Sequence, residues 1–393
     1  MVNARIEDLL DILGEEYMKL ENTFVMRNNQ EMTKGIYSLN NYKAKQLAGR
    51  DKYSKKLAKM AKERIAGVNK KVEKIFLLSY ATTNKDMIEV KIDEIRVKDL
   101  PKSAKHTLEN MKSYNEKFIK SLAVNAYKQY NKSIQMISNS KVGDEIYRTI
   151  KKQMAYGIDN GIKIAYRVNK PGKKYGEVRN MSFKSYMEMK ARTDINTEIS
   201  ANQVKHGAEA GIIFYFVDAF ADCAKDHLNY QGKIYYNEGA ELTPEARKYI
   251  NQHHIKGMEW VRGAPVWLTT RPNCRHSFHA VPYSDVIKDT GTYKERYTYG
   301  KAKTNNYKAT EQQRRNERLI RTYKLKRDNY LAEYSATKDK SFKIKANYYK
   351  SLVDKWIAEN RKLINDNKFL SREPSRERTN YIVDNLGVNY DYK

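Results

Sequence analysis

Apolar residues recur every three or four positions through the first part of the chain, which is the spacing of one face of an α-helix. Three such stripes predict amphipathic helices before about residue 168: one from Ile6 to Leu20, one from Leu108 to Ala126 and one from Ile146 to Tyr166. Tyrosine occupies many of the core-like positions, where its ring packs and its hydroxyl stays hydrogen-bonded. The stripes therefore predict core or partner contacts rather than a cofactor site.

The helical pattern breaks at residues 169–174, where a Pro-Gly pair stands among lysines that keep a loop solvated. A further helical stretch follows this break. Ser182 is a candidate N-cap for it, and Gly211 is a stop signal behind its predicted end near Glu209.

Short apolar runs, typical of buried strands, occupy the middle of the chain. The run 212–217 is β-branched and aromatic, and shorter runs at 233–236 and 265–268 predict two further strands. Between them, Thr243 and Pro244 have the residue types of an N-cap and a first helical position. This region therefore predicts a small α+β unit.

From residue 304 to residue 366 there is almost no Gly or Pro, and helix formers dominate. A single helix over this stretch is about 90 Å long at the usual rise per residue. Its apolar seam is thin, so we expect it to lie on a partner, on nucleic acid or on another subunit. The tail from Ser371 onward predicts an extended or docking segment.

The chain has 393 residues, of which 40% are hydrophobic and 31% charged, so one large apolar core is not expected. Lys and Arg number 75 against 47 Asp and Glu, which gives a net charge of +28. Such a charge favours a polyanionic partner, because each cation placed on a phosphate releases condensed counterions.

We predict a mainly α fold with a small α+β domain, in which extended basic helical arms flank a compact Cys/His-containing domain. The predicted domains are an N-terminal helical region at 1–169, the α+β domain at 176–290, and a basic C-terminal helical arm and tail at 291–393.

No segment predicts a membrane span, because the most apolar run, 212–217, is far shorter than the ~20 residues that a bilayer requires. Acidic residues interrupt the apolar stretch at the N-terminus, which argues against a signal peptide. The 2 cysteines are too few for a disulfide framework. We therefore expect the chain to be made in a reducing cytoplasm.

Both cysteines and all but one of the 7 histidines fall between residues 206 and 282. Cys223 precedes His227 by four positions, and Cys274 precedes His276 by two and His279 by five. One interpretation is a tetrahedral zinc site built from Cys223, His227, Cys274 and His276, with His279 as the substitute ligand. Structural zinc at this place would cross-link two loops of a domain that is expected to have little core of its own.

Two other interpretations of the cysteines stay open: a buried, reduced pair with hydrogen-bonded histidines, and a disulfide formed after release from the cell. Catalysis is a further alternative, either through a Cys–His nucleophile–base pair or as a metal-dependent DNA-processing nuclease that uses the Cys/His cluster. No Gly-rich phosphate loop, H-E-x-x-H or G-x-S-x-G signature accompanies the cluster. We therefore predict a non-enzymatic protein without catalytic residues.

The segment 176–211 resembles a helix of the phage minor capsid protein 2 family, which is related to the Mu-type minor head proteins. The family's Gly-x-x-Arg, Tyr-x-x-Met and Arg-Thr motifs match Gly176, Arg179, Tyr186, Met189, Arg192 and Thr193. The family then has an apolar strand, a Cys/His stretch, a Gln-Gly-Lys motif with an aromatic residue, and a closing Asn-Cys-Arg-His. These match 212–217, Cys223 with His227, Gln231-Gly232-Lys233 with Tyr235, and Asn273-Cys274-Arg275-His276.

The motifs confine the resemblance to about 176–283, and the basic regions on both sides carry no family motif that we can assign. The Gly-rich stretch that commonly precedes the closing motif has no close counterpart between Lys233 and Asn273.

The resemblance implies a virion component: a minor head protein in the capsid interior or at the portal vertex, present in the host cytoplasm during assembly. It implies the portal or major capsid protein and double-stranded DNA as partners, and roles in assembly, packaging or ejection. The lysines of the C-terminal helical region are our candidates for phosphate or capsid contacts. They are Lys324, Lys326, Lys338, Lys340, Lys343 and Lys345.

Overall fold

The computed structural model describes residues 2–34, 39–83, 94–140, 143–168, 177–220, 227, 229–258, 260–261, 264–265, 276, 278–288, 298–299, 304–372 and 374–377. Most of these residues are helical. The helices are α1 (Val2–Thr33), α2 (Leu39–Ala48), α3 (Arg50–Thr83), α4 (Lys102–Ser138), α5 (Gly143–Asn160), α6 (Phe183–Glu209), α7 (Pro244–Gln252), α8 (Tyr283–Ile287), α9 (Thr304–Thr337), α10 (Lys340–Asp366) and α11 (Pro374–Glu377). The strands are β1 (Lys163–Val168), β2 (Glu177–Ser182), β3 (Phe214–Val217), β4 (Ala219–Phe220), β5 (Ile234–Asn237), β6 (Gly257–Met258), β7 (Trp260–Val261), β8 (Ala264–Pro265), β9 (Phe278–Val281) and β10 (Thr298–Tyr299).

The largest apolar core joins α1, α3, α4, α5 and the first half of α6, and the helices α9 and α10 contribute to the same core. Leu13, Val72, Leu122 and Ile150 are almost completely buried in it. The predicted stripes of α4 and α5, and that of α1 from Leu10 onward, are therefore confirmed as helix faces turned to a core. Tyr17 shows why tyrosine suits such positions, because its ring is buried while its hydroxyl donates to Asn115 Oδ1 at 2.7 Å.

The end of the third predicted stripe is wrong. The helix was expected to continue to Tyr166, but α5 ends at Asn160 and β1 begins at Lys163, paired antiparallel with β2. Gly161 has a φ of +63°, which is the left-handed conformation in which many helices end. Glycine adopts this conformation readily because it has no Cβ. The backbone N–H of Ile162 then donates to the buried carboxylate of Glu21 at 3.1 Å, which satisfies the donor that the helix no longer pairs.

A second, smaller core surrounds a sheet of order β6-β5-β3-β9, in which β3 is central and antiparallel to both β5 and β9. The second half of α6 covers one face of the sheet, and α7 and α8 cover the other. The predicted strands at 212–217 and 233–236 are confirmed as β3 and β5. The third prediction, 265–268, overlaps β8 only at Pro265, and its other residues lie outside the described part.

Both predicted helix starts are also confirmed. Ser182 Oγ accepts the backbone N–H of Ser185 at 3.3 Å at the start of α6. Thr243 Oγ1 accepts that of Ala246 at 3.2 Å at the start of α7. Gly207 lets α6 approach the sheet closely, since a Cβ at this position would lie 2.6 Å from Tyr215 Oη.

The C-terminal region forms two helices, and this differs from the predicted single long helix. The chain turns at Lys338, which has a φ of +59°, and Asp339 caps α10 by accepting the N–H of Ser341 at 2.8 Å. The rings of Tyr330 and Tyr349 stack with centroids 5.6 Å apart, so α9 and α10 form a helical hairpin. This hairpin lies against α1 and α5 rather than extending away as an arm, because Asn329 bonds to Asn22 and Tyr349 Oη donates to Asp159 at 2.7 Å.

Candidate functional site

The two histidines nearest the cysteines in the sequence lie together at one end of the small sheet. His227 belongs to the turn between β4 and β5, where its carbonyl oxygen accepts the N–H groups of Tyr230 and Gln231. His276 stands just before β9. The two rings are buried, their centroids are 5.1 Å apart, and they meet edge to face at 67°.

Gln231, which is part of the Gln-Gly-Lys motif, fixes the orientation of His276. Its side-chain oxygen lies 3.0 Å from His276 Nε2, and an amide oxygen only accepts hydrogen bonds. A neutral ring that donates from Nε2 to this oxygen has its lone pair on Nδ1. A hydrogen bond of this kind at one nitrogen is what orients a histidine for ligation through the other.

His279, the substitute ligand of the sequence analysis, has a different environment. It lies within β9, and its Nε2 is 2.9 Å from Oδ1 of Asp218, which is fully buried. The structure thus places His276 beside His227, whereas His279 is engaged with a carboxylate. Spacing alone did not separate these two candidates.

Cys223 and Cys274 lie outside the described residues. Among the residues that the structure does describe, no group of three or more His, Cys, Asp or Glu side chains is arranged to hold a metal ion. The nuclease alternative therefore gains no support from the geometry.

Two of the six lysines proposed as partner contacts are partly buried within the hairpin region. Lys324 Nζ donates to the backbone oxygen of Glu377 at 2.9 Å. Lys326 lies 5.4 Å from the ring centre of Tyr349 and near the carboxylate of Asp159. Burial lowers the pKa of both ammonium groups, so each also serves the chain's own packing.

The other four, Lys338, Lys340, Lys343 and Lys345, are exposed at the hairpin turn and on the first turns of α10. Two large apolar side chains are exposed beside them: Ile344 is 68% exposed and Tyr348 is 53% exposed. Because residues four apart lie on the same helix face, these two form a small apolar patch bordered by cations.

The helix α3 carries a row of exposed lysines that is not among the predicted partner contacts. The row consists of Lys52, Lys55, Lys59, Lys62, Lys70 and Lys74. The signal was present in the sequence, since these lysines recur at the three- and four-residue spacing of one helix face, apart from a step of eight residues between Lys62 and Lys70.

The chain is thus mostly helical and strongly basic, with a polar C-terminal hairpin and a small sheet that has two buried histidines at one end. In the part of the chain that the structure describes, no helix is long and apolar enough to cross a membrane. The model of the phage minor capsid protein 2 family matches residues 17–356, and the chain belongs to this family. No curated protein and no solved structure matches it.

The family match extends well beyond 176–283, the segment to which the motifs confined the resemblance. It includes α3, α4 and α5 on one side and α9 with more than half of α10 on the other. The basic helical regions are therefore part of what the family shares, and the narrower assignment was wrong. The family identifies the chain as a minor capsid protein of a phage.

Proposed function

We propose that this chain is a structural minor head protein of a tailed phage that docks at the portal vertex or the inner capsid surface. There it contacts packaged DNA without sequence preference, during assembly, packaging or ejection. The observation that carries the proposal is the family match over 17–356 in a chain with a net charge of +28. The role is structural and not enzymatic.

The outer face of α10 is the candidate docking surface for a head protein. Ile344 and Tyr348 supply exposed apolar area, and an apolar patch with a polar rim is typical of protein contacts. The rim is cationic because Lys340, Lys343 and Lys345 surround the patch. An acidic surface on the portal or major capsid protein is the complementary partner.

The test of docking is the location of the protein in purified particles. We expect mass spectrometry to detect it in mature heads, and labelling or particle reconstruction to place it at the portal vertex or the inner shell. An Ile344→Asp/Tyr348→Asp variant should fold, since both side chains are exposed, but should be depleted from heads. A particle that lacks the wild-type protein contradicts the proposal.

The test of DNA contact is the salt dependence of binding. Non-specific binding through phosphates releases counterions, so affinity should fall steeply between about 50 and 200 mM salt and depend little on sequence. Absent or salt-insensitive binding removes DNA from the proposed function and leaves protein docking. Plasmid incubated with divalent metals should stay intact, and cleavage that is lost in a His276→Ala variant would overturn the structural role.

The buried histidine pair supports a structural zinc site as an additional feature of this protein. His227 and His276 lie together, and Cys223 and Cys274 stand only four and two positions before them in the sequence. Two thiolates and two imidazoles form a usual tetrahedral set for zinc. A bound ion would join the turn before β5 to the start of β9.

Elemental analysis of the purified protein beside a free-thiol count tests this site. We expect one zinc per chain, lost in His276→Ala and retained in the matched control His279→Ala, with a lower Tm after chelation. Two titratable thiols without bound metal, or a disulfide, would instead establish one of the other two interpretations of the cysteines.

A further inference from the structure

The outward face of α3 carries the lysine row, and the opposite face is the helix's contribution to the core. Tyr53, Leu57 and Val72 are almost completely buried. The row, defined as Lys52, Lys55, Lys59, Lys62, Lys70 and Lys74, is exposed throughout. The separation of the two faces fixes which side of α3 any partner meets.

Within the described part of the chain, only one cation of the row makes an ion pair. Lys59 lies 3.9 Å from Glu63, in a pair where both side chains are more than half exposed, so the contact contributes little. The other five lysines make no ion pair with any described residue. Like charges at this spacing repel each other by a few tenths of a kcal/mol per pair, which a polyanion would relieve.

Other cations add to the field around the first half of α3. Burial lowers the pKa of Lys56, and the neighbouring Arg27 and Lys34 lower it further, while Glu31 partly offsets them. These side chains come from α1 and the residue that follows it, so the positive charge is collected from two elements rather than one helix.

The dimensions of the row suit the backbone of a duplex. From Lys52 to Lys74 the helix rises about 33 Å, close to one turn of B-form DNA. Ala66 and Gly67 interrupt the row near its middle, and a Cβ added at Gly67 would meet no atom within 4 Å. Nothing within the described chain requires a glycine at position 67. Because glycine has no side chain, a phosphate backbone can approach the helix closely at this position.

We propose that this face of α3 binds the sugar-phosphate backbone of double-stranded DNA. The inference rests on the DNA contact in the proposed function and assigns it to a surface. It differs from the outer face of α10, where Ile344 and Tyr348 supply apolar anchors. The lysine row has no exposed aromatic or large aliphatic anchor, and such anchors dominate protein interfaces but are unnecessary for phosphate contacts.

Two matched variants of the full chain test the assignment. One replaces Lys52, Lys55, Lys59 and Lys62 by Gln, and the control replaces by Gln four lysines of α4 that are equally exposed, Lys102, Lys117, Lys128 and Lys132. Binding to a duplex of about three helical turns is followed by fluorescence anisotropy across a salt series. A third variant, with Arg at the four α3 positions, retains the charge.

The α3 Gln variant should bind roughly a hundredfold or more weakly at low salt, and its log–log salt slope should fall by up to about 3.6. The α4 control variant should keep most of the wild-type affinity, and the Arg variant should restore the affinity that the α3 Gln variant loses. Circular dichroism and Tm should show that all variants fold, because the replaced side chains are exposed and Gln is a good helix former.

The other possible results separate a failure of this inference from a failure of the proposed function. If the wild-type chain does not bind DNA, the DNA contact of the proposed function fails, and this inference fails with it. If the wild type binds and the α3 variant binds equally well, the assignment to α3 is wrong while the proposed function stands. If only incorporation of the α3 variant into heads is lost, the row contacts an acidic protein surface, which also overturns the inference.

Discussion

Polar side chains fill the contact between α1 and the C-terminal hairpin, at positions where the rest of the core is apolar. Asn22 and Asn329 exchange hydrogen bonds of 3.0 and 2.6 Å, and Asn29 donates to Glu333 Oε1 at 3.0 Å. All four residues are buried. Buried polar groups are tolerated only with such partners, so these bonds fix how the hairpin is seated on α1.

The protonation of Glu333 should make the stability of this contact depend on pH. Burial raises its pKa from 4.5 to about 7, although the hydrogen bond from Asn29 partly opposes the shift. The folded state then binds more protons than the unfolded state between these two pKa values. The free energy of unfolding should therefore fall as pH rises from about 4.5 to about 7, by on the order of 3 kcal/mol for this group.

Urea denaturation at about pH 5 and about pH 7.5 measures this effect, with Glu333→Gln as the control. Gln keeps an oxygen that accepts from Asn29 but cannot ionise. The difference in unfolding free energy between the two pH values should shrink in the variant, because all other titrating groups are shared. Equal differences in both proteins would show that Glu333 does not carry the pH dependence.

Asp339 joins the hairpin turn to α5. Its carboxylate caps α10 and accepts from Tyr147 Oη at 2.8 Å and Lys151 Nζ at 2.9 Å. Burial alone raises the pKa of Asp339, but its donors Ser341, Lys151 and Tyr147 outweigh it and hold the pKa well below its usual range. Asp339→Ala should lower the free energy of unfolding by about 1–2 kcal/mol.

Asp339→Asn is the matched control in this experiment. Asn is also a good N-cap, so this variant should lose only the ionic contribution and destabilise less than Ala. Chemical denaturation followed by circular dichroism gives both values. Equal losses in the two variants would mean that the cap itself contributes nothing.

At the scale of elements, the starts of helices were predictable from sequence because a cap is a local interaction. Ser182 and Thr243 act on backbone groups three residues ahead, so the residue types are sufficient. The β1–β2 hairpin was not predictable, because Ile158 and Ile162 keep helical spacing across Gly161. The turn at Lys338 was also missed, since neither Lys338 nor Asp339 is a usual helix breaker.

The candidate site was also only partly predictable from sequence, as the histidine pair shows. The sequence predicted that His227 would have a histidine partner after Cys274, but not whether this partner was His276 or His279. That choice depends on the pairing of β3 with β9 and on Gln231 and Asp218, which belong to other segments. Spacing along the chain carries no information about such tertiary partners.

Two glycines in helices should respond to alanine in opposite directions. Gly67 stands in an exposed helix interior with open space around it, so Gly67→Ala should raise the free energy of unfolding by about 1 kcal/mol. At Gly207 a Cβ would lie 2.6 Å from Tyr215 Oη and 3.1 Å from the Cβ of Ala280. Gly207→Ala should therefore destabilise by about 1–3 kcal/mol through overpacking.

The two variants are controls for each other, because both make the same chemical change in a helix. Thermal and urea denaturation of each variant, compared with the wild type, show whether the free energy of unfolding rises or falls. Stabilisation of Gly207→Ala would mean that α6 can move away from the sheet without cost. Destabilisation of Gly67→Ala would mean that a contact within the molecule requires the glycine.

At the scale of the whole molecule, charge opposes the compact state. The net charge is +28, and the lysine row, the cations around Lys56 and the lysines of α10 all lie on helix surfaces. A large net charge destabilises a folded chain through self-repulsion, which a polyanion or salt relieves. If the chain contacts packaged DNA as proposed, it should therefore be more stable in that complex than when free in dilute solution.

The salt dependence of Tm tests whether repulsion among the positive charges destabilises the free protein. The range of charge interactions shortens from about 30 Å at 0.01 M to about 8 Å at 0.15 M salt. If screening recovers about 1 kcal/mol, the Tm of a chain of this length should rise by roughly 1 °C over this interval. The variant with Gln at Lys52, Lys55, Lys59 and Lys62 should show a smaller rise, because part of the repulsion is already removed. A Tm that falls with salt would show instead that ion pairs such as Lys151–Asp339 outweigh the net repulsion.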